Sequence, residues 1–145
     1  PGGWLQVSKK FSSVETKILG IDKLNIEAIR GVCFYQGDIF EDKVINYIET
    51  FFKKKIDLIM SDMSPNSTGN KKVDHLRILS LVERVIFISN QLLQNDGFIV
   101  IKIFQGGMQG DLMNSMKGSL KNIKNFKPKA SRKESPEMYL IAQKK

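Results

Sequence analysis

Two apolar runs of strand character, residues 56–60 (IDLIM) and 98–104 (FIVIKIF), limit the fold most severely. A strand with so little polar face is at home only in a sheet covered by helices, as parallel sheets are. Between the two runs, residues 73–93 place Leu76, Leu79, Val82, Val85, Ile86 and Leu93 at helical spacing. The same alternation starts earlier, with strands at 17–22 (KILGID) and 32–38 (VCFYQGD) and a helix at 41–53 carrying Val44, Ile45, Ile48, Phe51 and Phe52. Alternating strands and helices imply right-handed parallel crossovers, and so a mostly parallel, doubly wound α/β sheet. The ending breaks the rule. After a helix at 111–120, the strands 123–126 and 138–142 follow with no helix between them, which predicts an antiparallel hairpin closing one edge.

The connecting segments read consistently. Trp4, Val7 and Phe11 space a short helix over 4–11, and residues 25–30 form a loop or a single turn. Residues 64–72 (SPNSTGNKK) have loop composition, Asn95-Asp96-Gly97 is a tight turn, and 105–110 is a flexible loop. At 145 residues with a 41% hydrophobic share, one domain with one core is expected over 1–145. The chain opens on Pro1-Gly2-Gly3-Trp4 with no preceding strand, so it reads as a fragment that lacks an N-terminal strand and helix. No apolar run reaches membrane-spanning length, and the start lacks the layout of a signal peptide, so a soluble intracellular protein is expected. The lone Cys33 lies in an apolar run and reads as a buried structural thiol.

Three charges mark the candidate site. Asp62 follows the run 56–60, Lys102 is embedded in 98–104, and Glu137 precedes 138–142. A charge on a buried strand is destabilising by on the order of several kcal/mol unless it is paired or used. Strand ends of an open α/β sheet converge on one crevice, so the three can meet there; otherwise they are separate edge charges reaching water. A second group lies nearer the start. Gly2 and Gly3 allow close backbone approach to a ligand with Trp4 beside it, while Asp22 and Asp38 end successive strands. A carboxylate so placed accepts from both hydroxyls of a ribose, and the second can accept from an adenine amine, or either can cap the element that follows. The absence of G-x-G-x-x-G argues against a pyrophosphate cofactor, and a single His75 with no cysteine cluster gives no metal-site spacing. His75 reads as a polar residue at a helix start.

The net charge of +8 favours a polyanionic partner. Lys117, Lys121, Lys124, Lys127, Lys129, Arg132 and Lys133 crowd the segment leading to Glu137, with smaller clusters at 53–55 and 71–72. This predicts a nucleic-acid track beside the crevice, against the alternative of a merely solvated basic surface.

The segments PGGW (1–4), GID (20–22), QGDIF (36–40), SDMSPN (61–66), VDH.R (73–77), VIKIFQG (100–106) and KPKASR..SPEMYL (127–140) together resemble the FtsJ/RrmJ family of ribosomal RNA 2′-O-ribose methyltransferases. The resemblance covers almost the whole chain in order. It implies a Rossmann-like methyltransferase fold, in keeping with a parallel sheet ended by an antiparallel hairpin. It also implies S-adenosyl-L-methionine as cofactor, with contacts at Gly2, Trp4, Asp22, Asp38 and Asp62. The family's catalytic set is Lys-Asp-Lys-Glu; Asp62, Lys102 and Glu137 match its last three members, and its first Lys falls upstream of PGGW. The implied substrate is a uridine ribose of 23S-type RNA in the large ribosomal subunit, in the cytoplasm, with a mitochondrial site as the alternative.

Methyl transfer from a sulfonium is an in-line displacement, so alignment supplies much of the acceleration. A lysine can assist by stabilising the alkoxide as it develops or, as a neutral amine, by taking the hydroxyl proton. Two other readings remain open here: methylation of another RNA (transfer RNA or a messenger cap), and a non-catalytic RNA-binding relic of the fold.

Overall fold

The computed structural model describes residues 2–104, 111–132 and 134–145, so the loop expected at 105–110 and Lys133 lie outside the described residues. The chain divides into two compact units, Pro1–Lys54 and Lys55–Lys145.

In the first unit, helix α1 (Gly3–Phe11) starts at Gly2, whose φ of +86° is the left-handed conformation that glycine adopts without strain. Strands β1 (Leu19–Asp22) and β2 (Cys33–Gln36) pair in parallel, with Leu19 opposite Cys33 and Asp22 opposite Gln36. Helix α2 (Asp42–Phe52) follows, with Asp42 in its first turn and Val44, Ile45 and Ile48 buried. An acidic first turn suits the positive end of the helix dipole.

The stripe Trp4–Val7–Phe11 locates α1 correctly but not the face that packs. Val7 and Phe11 are exposed, and Leu5 closes onto β1 instead: a β-carbon at Gly20 would stand 2.4 Å from Leu5 Cδ1. Cys33 corrects the sequence reading more directly, for it is exposed. β2 is only four residues long and buries Phe34 and Tyr35 partly, leaving its two end residues to solvent. Tyr35 stacks on Tyr47 of α2 with ring centroids 4.2 Å apart, so aromatic contact, not the thiol, ties β2 to its helix.

The second unit is a four-stranded sheet in the order β3-β4-β6-β5, formed by β3 (Ile56–Ser61), β4 (Leu93–Phe104), β5 (Leu120–Phe126) and β6 (Glu137–Lys144). β3 and β4 are parallel, while β6 runs antiparallel to both β4 and β5. The expected antiparallel ending is therefore present, with β6 inserted between β4 and β5. Helices α3 (Lys71–Leu92) and α4 (Asp111–Ser119) complete the unit. Ile99, Ile101, Ile103, Leu140 and Ala142 form one buried face with Val82, Val85 and Ile86 of α3 and Met116 of α4.

The opposite face alternates with the first, as the pleat requires, and Leu58, Met60 and Phe98 on it are exposed. The apolar run 98–104 thus does not make β4 buried on both faces in this unit. The turn at Asn95-Asp96-Gly97 lies inside β4, where Asp96 has φ +62° and the register with β3 shifts between Ile56 and Leu58.

The C-terminal end of α3 is held by lysine. Lys144 Nζ donates to the carbonyls of Asn90 at 2.7 Å and Leu93 at 2.8 Å, and Lys55 Nζ donates to Gln91 O. These carbonyls have no partner within the helix, and a cation there also opposes the negative end of the dipole. Burial, with Lys55 adding, pushes the Lys144 ammonium below its ordinary 10.5. Lys144→Met keeps the aliphatic stem and removes both hydrogen bonds, so it should destabilise the protein by about 1–2 kcal/mol. A fall in the urea midpoint at unchanged slope is the expected reading.

Candidate functional site

Strand direction assembles the cluster in the second unit. β3 and β4 run the same way and finish at the same end of the sheet, while β6, running against them, starts there. Ser61 lies opposite Ile101, which sets Asp62 beside Lys102; Lys102 lies opposite Tyr139, and Phe104 opposite Glu137. Lys102 and Glu137 fall on one face because the side-chain period is two.

Lys102 Nζ stands 2.9 Å from Asp62 Oδ1 and 3.9 Å from Glu137 Oε1. The lysine side chain is 10% exposed, whereas Asp62 is 47% and Glu137 44% exposed. A nearly buried ammonium thus meets two carboxylates that open toward solvent. Such a pair is screened less than a surface ion pair, for which about 0–1 kcal/mol is typical. The arrangement fixes the amine at the boundary between the sheet and the space beyond its strand ends. There it can, as an ammonium, stabilise negative charge on an approaching oxygen or, as a neutral amine, receive its proton, with both acids orienting it.

Tyr139 is the residue of this cluster that the sequence reading leaves without a role. Burial pushes its phenol above the ordinary 10.0, Asp62 and Glu137 add to the shift, and Lys102 opposes it. The O–H therefore stays protonated at neutral pH. Its signal in the sequence was its place two residues after Glu137, on the same strand face.

In the first unit, Asp22 and Asp38 follow adjacent parallel strands. Asp22 Oδ1 accepts from the Leu24 amide at 2.9 Å, and Asp38 Oδ1 accepts from the Phe40 amide at 3.0 Å. Both carboxylates thus order their own turns. The N-cap position of α2 is occupied by Glu41, which makes no side-chain capping bond. Lys23 Nζ lies 2.8 Å from Asp38 Oδ2 and joins the two strand ends electrostatically. Gly2, at the N-terminus of α1, and the partly buried Trp4 belong to the same unit.

Topology splits the basic tract. The connection after β5 returns to Glu137, so Lys127, Lys129 and Arg132 lie at the end of the sheet that carries the cluster; Lys129 and Arg132 are exposed, and Lys127 Nζ donates to Ser135 O at 2.9 Å. Lys117 and Lys121 lie at the opposite end, where Leu120 pairs with Lys144, and Lys121 forms an ion pair with Asp96. His75 is exposed on the early part of α3.

Comparison with known proteins identifies the family of the chain. The family model for FtsJ-like methyltransferases matches residues 1–145. A Rickettsia akari protein named ribosomal RNA large subunit methyltransferase E is 43% identical over 147 residues, a match covering 98% of this chain and 65% of that protein. One of the same name from Azorhizobium caulinodans is 41% identical over 145 residues, covering 98% of this chain and 60% of its own length. The chain therefore spans less than two thirds of these relatives. Among solved structures, a Plasmodium falciparum protein provisionally named a ribosomal RNA methyltransferase superposes with a TM-score of 0.77 at 30% identity, covering 99% of this chain and 81% of that one. The N-methyltransferase NodS of Bradyrhizobium japonicum shares the fold alone, with a TM-score of 0.53 at 11% identity, covering 88% of this chain and 73% of that one. By the family match along its whole length and by these relatives, the chain belongs to the FtsJ-like methyltransferase family.

Proposed function

We propose that the protein transfers a methyl group from S-adenosyl-L-methionine to the 2′-hydroxyl of a uridine in large-subunit ribosomal RNA, acting in the cytoplasm. The observation that carries this reading is the amine of Lys102 held between Asp62 and Glu137, in a chain whose relatives bear the name ribosomal RNA large subunit methyltransferase E. Among the described residues no helix is long and apolar enough to cross a membrane.

The residues of the first unit fit the cofactor by their donor and acceptor chemistry. A nucleoside offers a ribose diol and an adenine amine, all donors, to two carboxylates at neighbouring strand ends. Asp22 keeps Oδ2 for the diol, since its turn uses Oδ1. Asp38, which accepts from Phe40 and pairs with Lys23, presents a carboxylate, the acceptor chemistry that an adenine amine requires. Gly2 leaves the backbone accessible beside Trp4. The bound cofactor supplies an electrophilic methyl group; the protein supplies alignment and charge.

In the proposed mechanism Lys102 meets the 2′ oxygen of the acceptor. Its ammonium stabilises the charge that develops there as the hydroxyl proton passes to solvent water, and the low exposure of the side chain strengthens that interaction. Asp62 and Glu137 hold the amine on target so that no reorientation is needed during the reaction. Lys129 and Arg132 engage the phosphates that flank the acceptor.

Two expected outcomes test the proposal in the full-length protein. Lys102→Ala should lower kcat by about a hundredfold or more, with cofactor affinity by calorimetry within a few-fold. Near-normal turnover would remove Lys102 from the mechanism. Paired substitution Lys129→Gln with Arg132→Gln should weaken RNA binding and reduce the salt slope by about one unit per charge, while Lys117→Gln, at the far end of the sheet, changes little. Assays with large ribosomal subunits, naked ribosomal RNA, transfer RNA and capped RNA decide the acceptor; turnover on transfer RNA alone would overturn the ribosomal assignment.

A further inference from the structure

The loop that leaves Asp62 is exposed from Asn66 to Asn70, and no burial explains why it should hold one conformation. Its order comes from α3. The carboxylate of Asp74 takes three hydrogen bonds from the loop: Thr68 N and Thr68 Oγ1 donate to Oδ1 at 2.8 and 2.7 Å, and Ser67 Oγ donates to Oδ2 at 3.0 Å. Arg77, one turn further along, donates from Nη1 to Asn66 O at 3.3 Å. Asn70 closes the loop by accepting from the amides of Lys72 and Val73 as the cap of α3. Between them Gly69 turns the chain at φ +77°. The hydrogen bonds from Thr68 draw the Asp74 carboxyl below its ordinary 3.8, with smaller contributions from Ser67 and Arg77, so it remains an acceptor throughout the neutral range.

Asp74 and Arg77 belong to the segment VDH.R, which has no role in the chemistry described above. Their contacts give it one: Arg77 reaches Asn66 at the end of SDMSPN, and Asp74 holds the two residues that follow it, Ser67 and Thr68. We propose that Asp74, supported by Arg77, is a positioning residue for methyl transfer: it preforms the loop after Asp62 as a rim against which the RNA acceptor strand is set. The inference rests on the reading of the site as an RNA methyltransferase centre and assigns a further part of it. A loop ordered in advance adds little entropic penalty when RNA binds, whereas a loose one must be ordered at that moment. The loop begins directly after the acid that orients Lys102, so its disorder is felt at that amine and the acceptor it meets.

Steady-state methylation of large ribosomal subunits by the full-length protein, with calorimetry of cofactor binding, tests this. Asp74→Ala should raise KM for RNA about tenfold, lower kcat less, and leave cofactor affinity within twofold. Asp74→Asn, whose amide oxygen still accepts from Thr68, should restore most of the loss. Thr68→Val should give an intermediate defect, and the double variant Asp74→Ala/Thr68→Val should be no worse than Asp74→Ala alone. An RNA KM within twofold of wild type for Asp74→Ala would overturn the proposal. Multiplying defects in the double variant would do so as well, as would an equal loss of cofactor affinity that Asp74→Asn does not repair. Wild-type turnover on each RNA, measured alongside, tests the functional reading separately: if another RNA is the acceptor, the same KM comparison is made on it.

Discussion

The pairing of Lys102 with Asp62 is the constraint around which the second unit is arranged. An ammonium at 10% exposure on a central strand would be strongly destabilising alone, and the carboxylate 2.9 Å away makes its position tolerable. That partner is reachable only because β3 and β4 are parallel and end together. Glu137 joins them only because β6 enters from the opposite direction. A sheet with β6 reversed would carry Glu137 to the far end. The antiparallel insertion of β6 is therefore as much a part of the site as the side chains.

The same topology separates charge that looks continuous along the chain. The basic residues from Lys117 to Arg132 form one tract in sequence, yet β5 carries its two ends to opposite ends of the sheet. Part of this charge is also committed to structure: Lys121 pairs with Asp96 and Lys127 bridges to Ser135. Among the described residues of the loop before Glu137, Lys129 and Arg132 are exposed cations, and this narrows the electrostatic argument from a tract to a loop.

Carboxylates order their neighbouring backbone at several points in the chain. Asp22 and Asp38 each spend one oxygen on the amide two residues ahead, and Asp74 organises the loop after Asp62 from a neighbouring helix. In each case a short polar side chain fixes exposed backbone that has no apolar reason to be ordered. These acids are thus local scaffolding, each set in place by hydrogen bonds of the chain itself.

Much was legible from local pattern. The strand-helix alternation, the apolar stripe of α3, the antiparallel close and the three charges at strand edges all follow from side-chain periodicity, which depends only on neighbours in the chain. Other features were not. Cys33 reads as buried because its neighbours are apolar, but exposure depends on how far a four-residue strand is covered. Val7 and Phe11 mark α1 as a helix without revealing that Leu5 packs over Gly20. Tyr139 and Asp74 take their surroundings from cross-strand register and from a helix meeting a loop, which composition does not encode. By itself the chain determined which residues carry charge into apolar strands, since that is a property of local order along the polymer. Whether those charges meet, which lysines face the site, and what holds the loop beside it were decided by tertiary structure alone, because each depends on strand direction and register between segments distant in sequence.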